Sequence, residues 1–219
     1  MKNILLAIAP HFLCQDQNMQ PQIKHLLENL LKINKEGSTL PSWHPFGFIS
    51  FTLGEISLNG ENVKFRLHIW DKFERRMQSP LSICHHHNWH LSSFVISGLL
   101  VNQEYSVNEL AIGDCELYKV AYMGNSSISE PTGRYVSCAL KKVEILQTNK
   151  FYSVPIDTYH SVFVPNGCIT CTMVIESKHF DSESKNVRPR GLNESFLFNR
   201  EKCDPEYVEK ILKHISNSI

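Results

Sequence analysis

The chain has 219 residues, enough for one domain around a single sizeable core. Its 22 Lys and Arg balance 22 Asp and Glu, which leaves no basic footprint for nucleic acid, and no stretch reaches the roughly 20 apolar residues of a membrane helix. Seven Cys, an odd number without a clear secretory signal, read as reduced thiols and lead us to expect a cytoplasmic protein.

The opening MKNILLAIAPHFLC is a short apolar run that contains Pro10 and His11 and lacks a small-residue cleavage site. It is expected to pack on the domain as a helix or strand rather than to act as a signal peptide. Ile23, Leu26, Leu27, Leu30 and Leu31 then fall on one face of a helix, with Pro21 in its first turn and Gly37 as its stop. Residues 37–47 read as a loop. From Phe48 the period changes. Val63, Phe65, Leu67 and Ile69 alternate with Lys64, Arg66, His68 and Trp70, as on a strand with two chemically different faces, and Asn59-Gly60 before it signals a hairpin turn. Further strand-like runs cover 92–101, 103–107, 115–122, 134–146, 159–164 and 168–176. Turn clusters stand at Gly113-Asp114, Gly124-Asn125, Pro131-Thr132-Gly133 and Pro165-Asn166-Gly167. Many short strands at this spacing predict a mainly β domain, an antiparallel sandwich or barrel. Residues 178–203 are polar and read as mostly irregular, either a surface-wrapping tail or a lid. The chain closes with a helix capped by Asp204, with Pro205 at its first position and Val208, Ile211, Leu212 and Ile215 as its buried stripe. The division is thus 1–45 helical, 46–177 β and 178–219 tail plus helix.

The stretch SICHHHNWHLSSFVISGLL (82–100) carries His85, His86, His87 and His90. On a strand, His85 and His87 share a face and His86 points away, so two imidazoles converge on one point. A later histidine, His160, groups by parity with Val162 and Val164 on an otherwise apolar face.

The wider spacing resembles the first motif of the cupin superfamily: H-x-H, three residues, a carboxylate, six residues, then Gly. His85 and His87 fill the H-x-H, and Gly98 falls in place. FYSVPIDTYHSVFVPNG (151–167) resembles the second motif, with Pro155 before a turn and His160 entering a strand. The resemblance covers roughly 63–176. It implies a double-stranded β-helix (jelly roll) with helices added at both ends, and a metal site of His85, His87 and His160. Leu91 stands where the carboxylate would be and Val164 where the second motif has Asn. A bulge at Asn88-Trp89-His90 would let His90 replace the missing ligand. A three-histidine site is similar to that of the cysteine dioxygenase type of thiol dioxygenase, and it implies Fe(II), with Zn, Ni or Mn as alternatives, and O₂ with a small anionic substrate as partners. Imidazole alone does not choose the metal. Arg66 and Arg134 are candidates for a substrate clamp, and Trp89 and Tyr159 for pocket walls. No residue is assigned to catalysis beyond the ligands, and a homodimer is what the resemblance implies.

Cys168-x-x-Cys171 has zinc-knuckle spacing, but on a strand its thiols point to opposite faces, and Cys84 has the wrong parity to join His85; both read as packing. Three functions stay open: an iron oxygenase, a metal-dependent isomerase or lyase, and a non-enzymatic small-ligand-binding protein.

Overall fold

The computed structural model describes residues 1–36, 41–58, 60–177 and 180–219. Two helices, α1 (Lys2–Leu13) and α2 (Gln20–Glu36), lead into the strands. These are β1 (Ser42–Trp43), β2 (Ile49–Leu58), β3 (Glu61–Trp70), β4 (Cys84–His86), β5 (His90–Ser97), β6 (Leu99–Leu110) and β7 (Cys115–Met123). They continue as β8 (Ser126–Gln147), β9 (Phe151–Val154), β10 (Tyr159–Phe163), β11 (Thr170–Ser177), β12 (Ser184–Pro189) and β13 (Phe196–Asn199), and α3 (Pro205–Ser216) closes the chain. The protein is mainly β, with two antiparallel sheets. One has the order β1-β2-β3-β11-β5-β9 and the other β13-β8-β6-β10-β4-β12-β7. From β3 to β6 and again from β9 to β12 the chain alternates between the sheets at every strand.

Gly98 makes one of these crossings. It separates β5 in the first sheet from β6 in the second, at φ +89°, and a side chain there would run into the backbone of Ile169 and Thr170. The predicted run 92–101 is therefore two strands.

The alternation in β3 sets the polarity of the fold. Val63, Phe65, Leu67 and Ile69 face outward, into a core shared with Ile8 of α1, Leu27 of α2 and Leu212 of α3. Arg66, His68 and Trp70 face inward, between the sheets. The helices earn their place by covering an apolar sheet face, as their one-sided stripes require. α3 matches its sequence reading closely: Asp204 accepts from Tyr207 N at 2.8 Å, and Val208, Ile211, Leu212 and Ile215 are buried. Asn34 of α2 donates to Pro205 O at 2.8 Å and ties the two helices together.

Two expectations change. The polar stretch after 178 is not mostly irregular: β12 lies between β4 and β7, and β13 pairs with β8. Its inward residues Ser184, Asn186 and Arg188 are polar and buried, so hydropathy gave no strand signal. Pro131-Thr132-Gly133 is not a turn but a bulge within β8, where the pairing jumps from Leu117↔Arg134 to Tyr118↔Pro131. The polar stretch also begins at Lys178 and His179, which lie outside the described residues, as do Gly37 and Asn59. Among the described residues no helix is long and apolar enough to cross a membrane.

Candidate metal centre

β4 is short, but its register is fixed on both sides. His85 lies opposite His160 of β10 and opposite Asn186 of β12. Residues directly opposite in a ladder share a face, so His85 and His160 meet by backbone pairing alone. His87 follows two residues on, on the same side. The three rings sit 4.5 Å (His85–His160), 4.8 Å (His85–His87) and 5.3 Å (His87–His160) apart between centroids. Each offers one nitrogen, and these nitrogens lie within 4.8 Å of one another. Three bonds of ~2.1 Å at octahedral or tetrahedral angles would set them roughly 3.0–3.4 Å apart, a contraction that small ring rotations supply.

The hydrogen bonds around the cluster suit a cation. His160 Nδ1 lies 3.3 Å from Asn102 Oδ1, which can only accept, so the proton sits on Nδ1 and the lone pair on Nε2. His160 Nε2 is buried without a partner, and so is His87 Nδ1. Buried polar atoms are almost always satisfied, and two orphans in one cluster of imidazoles fit a metal ion. Burial holds His160 down to about 4. Burial, with the neighbouring histidines adding to it, keeps His85 and His87 well below the ordinary imidazole value. The three imidazoles are therefore neutral. His87 stacks on Trp89 at 4.5 Å, and Phe46 packs 4.9 Å from His85, so aromatic rings fix both orientations.

The cluster opens on a cavity of about 120 Å³ bounded by Arg66, His68, Trp89, Leu91, Tyr152 and Arg200, among others. Burial pushes His68 down to about 3 and Tyr152 up to about 12, so both are uncharged there. A smaller lobe of about 80 Å³ shares His44, His85, His87 and Arg200 and reaches Ser129, Asn186 and Arg188.

Among the remaining sequence candidates, Trp89 and Arg66 border the cavity. Arg66 is already engaged: its Nε lies 2.5 Å from Glu176 Oε1. Tyr159 does not reach the cavity. It precedes His160 on β10, and consecutive strand residues face opposite ways, so it packs outside, 4.7 Å from the His86 ring. His90 does not join the three clustered histidines either. It pairs with Ser177 at the start of β5 and lines a depression beside Ala9 and Phe12 of α1, on the helix side of the sheet. Leu91 takes the inward place instead. Arg134 is at the surface, bonded to Glu109. Cys171 lies in the helix-side core and Cys168 against the cluster around Trp70, on opposite sides of the sheet. Cys84 is packed behind the site, 3.6 Å from Cys138.

Sequence reasoning missed Asn102, Tyr152 and Arg200. Asn102 had a weak signal: a polar residue two places after Leu100 and so on the same face of the strand.

Compared with protein-family models and with curated proteins, the chain matches none.

Proposed function

We propose that this chain is a mononuclear non-haem iron dioxygenase of the cupin type, acting with O₂ on a small anionic metabolite. The observation that carries the reading is the convergence of three neutral imidazoles, two with orphaned buried nitrogens, on a cavity lined by Leu91 where the cupin motif would place a carboxylate. The alternation of strands between the two sheets from β3 to β6 and from β9 to β12 supports a double-stranded β-helix, the fold that the two histidine motifs imply.

His85, His87 and His160 would hold the ion. A ferrous ion in such a site supplies redox chemistry with O₂ and leaves coordination positions for the substrate. The chain's own residues do the rest. Neutral ligands leave the ion's positive charge uncompensated, which favours an anion beside it. Trp89 and Leu91 keep that side of the cavity apolar and limit water. Tyr152 keeps its proton at neutral pH and so presents a hydroxyl donor to whatever lies in the cavity.

The test is metal analysis of freshly purified protein, then O₂ uptake with small thiols, amino acids and carboxylates. Iron with substrate-dependent O₂ consumption supports the proposal. Turnover that needs the metal but not O₂ replaces it with Lewis-acid isomerase or lyase chemistry. Ligand binding without turnover replaces it with a binding protein.

A further inference from the structure

The permanent charges on the cavity wall are Arg66, Glu176 and Arg200. Two of them cancel. Glu176 is 6% exposed and closes on Arg66. Arg200 has no such partner. It is half-buried, and among the described residues no carboxylate reaches its guanidinium. The adjacent Glu201 turns outward and bonds Arg76 at 3.3 Å. What Arg200 meets is the ring of Tyr122, 5.8 Å from its centre. Burial lowers its affinity for its own proton, as for a cation kept partly from water without a counter-ion.

Its position is not loose. Arg200 N donates to Asn125 O at 3.0 Å, and the Asn125 side-chain amide donates back to Arg200 O. The turn between β7 and β8 thus clamps the backbone on both sides and sends the side chain inward. Arg200 borders both lobes around the histidines and also the outer mouth beside Trp89 and Tyr122. Five N–H donors in a planar fork, held on the wall of the larger lobe with no matching anion among the described residues, make a receptor for a planar oxyanion.

We infer that Arg200, not Arg66, selects the substrate's charge, binding a carboxylate or similar oxyanion at the end remote from the three imidazoles. The position of that other end rests on the metal-centre reading above; the anion site does not. Substitution also separates the two arginines. Removing the Arg66 guanidinium strands a buried Glu176 carboxylate, whereas removing that of Arg200 leaves no charge behind.

The experiment uses cobalt(II)-loaded full-length protein and two thiols whose sulfur gives a charge-transfer band on cobalt. 3-Mercaptopropionate ends in a carboxylate and 2-mercaptoethanol in a neutral hydroxyl. Wild type is expected to favour the carboxylate at least tenfold. Arg200→Gln should remove most of that preference, Arg200→Lys should keep part of it, and Arg66→Lys should retain it. A second readout needs no metal. Trp43 and Trp70 are buried, so quenching by solutes reads Trp89. Iodide should quench wild type more than Arg200→Gln, while neutral acrylamide treats them alike. Failure to load cobalt with the iodide difference intact would sink the metal centre and leave the anion site standing. The inference is overturned by an unchanged carboxylate preference in Arg200→Gln, by loss of that preference in Arg66→Lys alone, or by equal iodide quenching.

Discussion

Replacing Asn102 with leucine tests whether the hydrogen bond behind His160 serves the metal or merely the fold. Asn102 is 1% exposed on β6, opposite Val162 and so on the same face as His160. Its Oδ1 holds His160 Nδ1 at 3.3 Å, while its own Nδ2 is buried without a partner. Leucine has nearly the same shape. It removes one orphaned donor, a gain of about 1 kcal/mol or more, and unpairs His160 Nδ1, a loss of similar size. The melting temperature of the metal-free protein should therefore barely move. Metal affinity should fall, because the imidazole loses the acceptor that fixes its tautomer and ring angle. Partners of this kind are worth roughly 10–100-fold in affinity, or about 1.4–2.7 kcal/mol. Asn102→Asp should act the opposite way. Its carboxylate strengthens the ligand when metal is bound, and it leaves an unpaired buried charge when metal is absent, so the rise in melting temperature on loading should exceed that of wild type. The assay is competition for cobalt(II) or zinc against a chelator of known affinity, with thermal melts of loaded and metal-free protein. Asn102→Leu protein that binds within twofold of wild type and melts at the same temperature would refute the argument.

Three further outcomes follow from the same geometry. His85→Gln and His160→Gln should lose bound metal, whereas His86→Gln should keep it, since His86 faces outward 3.4 Å from Asp157; metal content after dialysis decides. His68 is held at about 3 against an ordinary 6.5, so between those pH values the unfolded chain binds a proton that the folded chain refuses. This part of the stability is complete above pH 6.5 and declines by about 1.4 kcal/mol per unit below it, so metal-free His68→Gln should show a flatter dependence of urea midpoint on pH from 6.5 down toward 4. Gly98→Ala combines a φ of +89° with a Cβ only 2.8 Å from Thr170 Cα, and should destabilise by roughly 2–5 kcal/mol in denaturant unfolding.

Much of the site was legible because strand parity is a local rule. His85, His87 and His160 could be placed on common faces from spacing, and α3 could be read from its cap and stripe. Parity also should have excluded Tyr159, which cannot face the cavity if His160 does. Other parts had no local signal. β12 hides because its inward residues, Ser184, Asn186 and Arg188, face a polar cavity, and a strand with polar residues on its buried face looks like a loop to any hydropathy rule. Which side of β3 points inward depends on where the helices dock, a fact carried by residues far along the chain. Arg200 stands in a charged stretch, NREKC, and only the clamp by Asn125, 75 residues earlier, distinguishes it from a solvated surface arginine.

The inside-out polarity of β3 has a bearing on how such a protein can change. Its greasy side is committed to the helices, so Phe65, Leu67 and Ile69 cannot drift without loosening the whole assembly. On the opposite side of the same strand Trp70 packs with Phe48, Val95 and Leu100, while Arg66 and His68 contribute mainly to the character of the cavity. Selection for a new ligand can therefore rewrite His68 and the half-buried Val162 while the scaffold stands, whereas Leu91 and Val174, packed on Val154, can change only to apolar residues of similar size; a combinatorial library that respects this should yield mostly folded proteins. Arg66 and Glu176 are the exception. They form a linked pair on that inner wall, and a lineage can replace them only together or by way of a less stable intermediate.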